Sequence, residues 1–125
     1  MPFWKLLDLK FIALASALFA GAEATARTVE YDLTISEETP APAGKNVRVL
    51  AINGSIPGPT LRFTVGDEAV IRVHNKMTRE ETSTHWHGLL LPNATDGVPY
   101  TTTPPIKPGQ SHTLRFPLKH SGTYW

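Results

Sequence analysis

From Thr28 onward, apolar and polar residues alternate in short runs. In "TVEYDLTI", Val29, Tyr31, Leu33 and Ile35 alternate with Glu30, Asp32 and Thr34, the period of two that marks a strand with one buried face. The loop "ETPAPAGKN" leads to a second strand, "VRVLAI", closed by "NGSIPGP", whose Asn-Gly and Pro-Gly pairs are turn formers. "TLRFTV" and "GDEAVIRVHN" read as two strands joined at Gly66-Asp67. "TSTHWHGLLL" reads as another, followed by the long irregular stretch "PNATDGVPYTTTPPIKPGQ". "SHTLRFPL" is strand-like, and "GTYW" begins one more. No segment of this region carries a helical stripe, and there is no internal repeat. Short strands separated by turn signals predict an all-β domain, an antiparallel sandwich or barrel.

The first 26 residues follow a different pattern. Lys5 and Lys10 precede or bound the apolar run "FIALASALFA", and the small residues of "AGAEATA" follow it. A basic start, a short apolar run and a small-residue cut site predict a secretory signal peptide over 1–26, cleaved after Ala24 or Ala26. The run is about half the roughly 20 residues that a membrane-spanning helix needs, so no stable membrane anchor is expected. The predicted location is the periplasm or the cell exterior, with one domain over 27–125.

Lys+Arg number 12 and Asp+Glu 11, and no basic run appears, so nucleic acid is not an expected partner. The chain has no cysteine. Disulfides, thiol chemistry and thiolate-bound metal are therefore excluded for this stretch.

Candidate chemistry concentrates in "THWHG". On a strand, His85 and His87 point to one side and Trp86 to the other, with the two Cα atoms roughly 6.6 Å apart at about 3.3 Å per residue. Two imidazoles so placed can converge on one metal ion or, with less strain, on two neighbouring ions. Trp86 would anchor the strand in the core, and Gly88 would admit close neighbours. A lone His-x-His is a weak signal, and two ligands make an incomplete site. His74 and His112 fall at strand ends and are expected to be solvated; His120 falls at a turn. Asn53-Gly54-Ser55 and Asn93-Ala94-Thr95 fit the glycosylation pattern.

Around this pair the sequence resembles the multicopper oxidases (laccases, ascorbate oxidases, ferroxidases and bacterial copper-resistance oxidases). The matching pieces are "NGSIPGPTLRFTVGDEAVIRVHN", "THWHG", "DGVP", "PIKPGQSHTLRF" and "GTYW", in family order from about Tyr31 to Trp125. "DLTI" and "FPLKHSGTYW" look closest to the bacterial copper-resistance branch. The stretch from Leu91 to Gly97 lacks the methionine often found before the Asp in that branch.

The resemblance implies a Greek-key β-sandwich, a cupredoxin-like (plastocyanin-like) domain, the first of several in the family. It implies copper as cofactor, with His85 a ligand of the type 2 copper and His87 a ligand of one type 3 copper. Asp96, the acid of the D-G-V-P loop, would lie beside the cluster and orient water or assist proton delivery. As a residue before glycine it is equally a turn former. Family members continue past G-T-Y-W into a second H-x-H motif, and the type 1 copper with its cysteine belongs to a last domain. The domain is therefore expected to be C-terminally incomplete, with O₂ and a reducing substrate as partners only in a full-length protein. The expected function is that of a contributor to an oxidase coupling one-electron oxidation of Cu(I) or phenolic donors to reduction of O₂ to water. The alternative is a periplasmic copper-binding carrier module without catalysis.

Overall fold

The computed structural model describes residues 26–40 and 44–125; apart from Ala26, the expected signal peptide lies outside them. Among the described residues there are four strands: β1 (Thr28–Glu38), β2 (Val49–Ile52), β3 (Glu68–Asn75) and β4 (Ser111–Pro117). They form one sheet in the order β2-β1-β3-β4. The strong alternation of β1 and the apolar density of β3 account for their central places.

β1 pairs antiparallel with β2, and β3 pairs antiparallel with β4, but β1 and β3 run parallel, with Leu33 opposite Val73. This corrects the expectation of purely antiparallel pairing. After β2 the chain turns at Asn53 and Gly54, both at positive φ, with Ile52 bridged to Ser55. The following segment travels back along the sheet and reverses at Gly66 (φ 95°), so β3 begins at the same end as β1. The Asn53 side chain fixes the first turn, with Oδ1 accepting from the Thr34 N–H at 2.7 Å and Nδ2 donating to the Asp32 carbonyl at 3.0 Å.

The sheet has two unlike faces. Leu33, Ile35, Ala69, Ile71, Val73, Leu114 and Phe116 are buried on one side, the predicted core alternation. The other face is a mesh of charges: Arg72 with Glu30 at 2.6 Å, Arg115 with Glu68, and His74 between Asp32 (3.0 Å) and Ser111 (2.7 Å). Asp32 accepts from Nε2 of His74, and Nδ1 meets the Ser111 hydroxyl. His74 is thus half-buried and fully partnered, where solvation was expected.

The apolar face is covered by extended chain that is not regular strand. "TLRFTV" forms no strand; Leu61 and Phe63 instead lie over the core. Tyr31 holds them there, its hydroxyl donating to the Arg62 carbonyl (3.2 Å) and accepting from the Arg62 N–H (3.0 Å), while its ring meets Phe63 edge-on at 5.4 Å. "GTYW" is likewise irregular. "TSTHWHGLLL" is extended, with a single bridge to the rest of the structure, Thr82 with Ile106. Tyr31 and the packing of Trp86 on Phe116 clamp the first and last of these segments to the sheet where backbone ladders do not, so the strand expectation fails for all three. Leu61, Phe63, Trp86, Leu89 and Leu91 still pack inward, whereas Val65, Leu90 and Trp125 are exposed.

Asn75, fully buried at the end of β3, joins three pieces. Its Nδ2 donates to the carbonyls of Glu80 (2.9 Å) and Ile106 (2.8 Å), and its Oδ1 accepts from the Met77 N–H (2.9 Å). All of its side-chain polar atoms are partnered, as a buried amide requires. The segment leading to Thr82 and the histidines is anchored here.

Candidate metal centre

Trp86 anchors the histidine segment. Its ring packs on Phe116 of β4 at 5.4 Å and joins the main apolar cluster. Alternation about this anchor leaves His85 and His87 exposed together on the other side. Their ring centroids stand 5.7 Å apart with planes at 80°. The chain then turns, with Gly88 at φ 86° and the Leu89 N–H donating to the Trp86 carbonyl at 3.3 Å. The predicted spatial relation of the two imidazoles holds, although the regular strand that suggested it does not continue through them.

His85 has a defined tautomer. Its Nδ1 lies 2.7 Å from the main-chain oxygen of Asp96. A carbonyl oxygen only accepts, so Nδ1 carries the proton and donates, leaving the Nε2 lone pair for another partner. The Asp96 carboxylate stands 3.7 Å from the same Nδ1 and reinforces this choice. A ring nitrogen held by a carbonyl or carboxylate, with its opposite nitrogen free to bind, is the usual arrangement around a metal-bound histidine.

The Asp96 loop reaches His85 because of the glycine that follows. A short 3-10 helix, Asn93–Thr95, ends at Asp96, and Gly97 then takes φ 79°. A Cβ at Gly97 would overlap the carbonyl oxygen of Thr84, so only glycine lets the two backbones approach this closely. Buried Thr103 accepts the Gly97 N–H at 3.1 Å, and Thr102 accepts the Val98 N–H at 2.9 Å. Asp96 is therefore a turn residue that also neighbours His85.

His87 is held from a second direction. Its backbone N–H donates to the main-chain oxygen of Trp125 at 2.7 Å, and its ring lies against the Trp125 indole, with centroids 5.6 Å apart and planes at 14°. Tyr124 covers Gly88: a Cβ there would come within 3.1 Å of the Tyr124 ring.

The remaining histidines stand apart from the pair. His112 is half-buried on the core side of β4, opposite Val73, and lines a small cavity with Ser83, Thr84, Gly97 and Thr103, against the expectation that it is solvated. His120 meets Tyr124 edge-on at 5.2 Å. Among the described residues no three His, Asp, Glu or Cys side chains gather as one metal site. Two imidazoles with a free ring nitrogen fit copper as part of a ligand set, since imidazole suits copper. Sequence reasoning missed Asn75, Thr102, Thr103 and the contact of Trp125 with His87. Only the position of Asn75 at a strand end carried a signal, and a weak one.

A multicopper oxidase family matches residues 34–125. An oxidoreductase of Beauveria bassiana is 48% identical over 103 residues, covering 81% of this chain and 18% of the relative. Copper resistance protein A of Escherichia coli is 38% identical over 110 residues, covering 88% of this chain and 18% of the relative. The crystal structure of a multi-copper oxidase from Pseudomonas thermotolerans superposes with a TM-score of 0.73 at 33% identity, over 81% of this chain and 25% of that one. The chain thus spans about a fifth of the length of the curated relatives it matches. Its sheet and covering layer form the cupredoxin-like β-sandwich of those structures. Shared sequence over most of the chain and a shared fold around the His-x-His segment agree: the chain belongs to the multicopper oxidase family, whose cofactor is copper.

Proposed function

We propose that residues 27–125 act as the first cupredoxin domain of a multicopper oxidase and supply one pair of histidines to its three-copper cluster. His85 takes the type 2 position and His87 one type 3 position. The observation that carries this reading is the shared exposed side of the two imidazoles, with Nδ1 of His85 committed to Asp96 and its Nε2 left free. The whole oxidase would couple one-electron oxidation of Cu(I) or a phenolic donor to reduction of O₂ to water, with copper supplying the redox chemistry. This chain's residues do the holding. Trp86 fixes the segment in the core, Asp96 sets the His85 tautomer, and the Asp96 carboxylate stands beside the ligand, placed to orient water or assist proton delivery. The basic, apolar and small-residue order of 1–26 supports export to the periplasm or cell exterior.

The test is calorimetric titration of Cu(II) into the chain and into its His85→Ala, His87→Ala and doubly substituted variants. Copper heads the divalent affinity order for such ligands, so the parent should bind. Each single change should weaken binding and the double change abolish it. The bound ion should lack the intense blue of a thiolate centre, because the chain has no cysteine. Undiminished binding by the double variant would place the ligands elsewhere.

A further inference from the structure

Trp125 is 87% exposed, the most open of the exposed large hydrophobic residues. One face of its indole lies almost parallel to His87, with planes at 14° and centroids 5.6 Å apart. The same residue accepts the His87 backbone N–H at 2.7 Å. One residue thus restrains both the main chain and the ring of His87. His85 has a different restraint, the hydrogen bond from Nδ1 to Asp96. No side-chain hydrogen bond performs this service for His87 among the described residues. Without the indole, rotation about the χ angles of His87 would go unopposed by its neighbour on that side.

We propose that Trp125 is a positioning residue for His87: its indole face sets the plane of the imidazole and so maintains the 80° relation of the two rings. This rests on the reading of His87 as a copper ligand. The stacking is also a property of the metal-free chain and can be measured there. A ligand ring already in its binding orientation loses less freedom when it binds. Aromatic contacts of this kind correspond to about 2- to 10-fold in an equilibrium constant. The Trp125→Ala variant keeps the backbone acceptor and removes only the ring; Trp125→Phe restores an aromatic face.

The experiment has two arms, proton NMR of the His87 ring in the metal-free chain and Cu(II) titration with electron paramagnetic resonance of the bound ion. In the parent, an indole face over the imidazole should shift the His87 ring protons upfield. Trp125→Ala should abolish that shift, weaken Cu(II) binding about 2- to 10-fold and broaden or alter the copper signal, with the melting temperature unchanged. Trp125→Phe should recover most of each effect. His87 shifts, copper affinity and copper signal all unchanged in Trp125→Ala would overturn the proposal. So would loss of copper affinity to the same extent in Trp125→Ala and Trp125→Phe. Failure of the ligand reading looks different: copper binding would then be insensitive to His85→Ala and His87→Ala, and the ring-proton arm alone would decide whether Trp125 orients His87.

Discussion

A single glycine decides whether the Asp96 carbonyl can reach His85. Gly97 sits at φ 79° with the Thr84 carbonyl oxygen where a Cβ would stand, so alanine there meets both left-handed strain and a backbone clash. We expect Gly97→Ala to cost more than about 2 kcal/mol in denaturant unfolding. It should also weaken Cu(II) binding, because the loop would withdraw the acceptor that sets the His85 tautomer. Unchanged stability and binding would show that the loop has room to move. That His85 and His87 lie together was legible in the sequence, because imidazoles two positions apart on extended chain share a side whatever surrounds them. The restraint on each ring was not legible. The Asp96 acceptor lies 11 positions along the chain from His85, and Trp125 is farther still from His87.

At the scale of elements, the histidine segment is held by few backbone hydrogen bonds. Thr82 and Ile106 exchange two, at 3.0 and 2.7 Å, and Asn75 ties the neighbouring carbonyls of Glu80 and Ile106 to β3. Replacing Asn75 by alanine would strand those two carbonyls and the Met77 N–H in a buried place. Each such loss costs on the order of 1 kcal/mol or more. We therefore expect Asn75→Ala to destabilise the fold by about 2–4 kcal/mol. Amide exchange should quicken at Thr82 and Ile106 before it does in the middle of β3. Uniform protection loss across the sheet would argue instead that Asn75 acts only through global stability. The four regular strands were legible from alternation. "TLRFTV", "TSTHWHGLLL" and "GTYW" alternate too, but strand formation also requires a neighbouring backbone. Tyr31 anchors the first and Phe116 the second by side-chain contact instead.

For the whole molecule, acid should loosen the fold. Asp67 is buried at 3% exposure, and its carboxylate accepts the Thr64 N–H at 2.7 Å with Arg27 3.6 Å away. The Thr64 hydrogen bond, helped by Arg27, holds its pKa below the ordinary value despite burial. The unfolded chain then takes up this proton more readily, so the stabilisation is present above the ordinary carboxylate pKa and is lost as pH falls through the lower folded value. Asp32, beside His74, and Glu37, beside Arg48, are shifted the same way, and their exposure to solvent makes them lesser contributors. We expect unfolding midpoints to fall below about pH 4 and Asp67→Asn to flatten that fall; an equal acid response in the variant would remove Asp67 from the account. Taken alone, the sequence determined the β class, the inward set of apolar residues, the copper family and the shared side of His85 and His87. All of these depend on residue identity and on a period of two, which are local. Only the tertiary structure decided that β1 and β3 run parallel, that the covering layer is clamped by side chains, and which nitrogen of His85 is free. Those features depend on which distant backbone groups meet, and alternation along a chain carries no record of that.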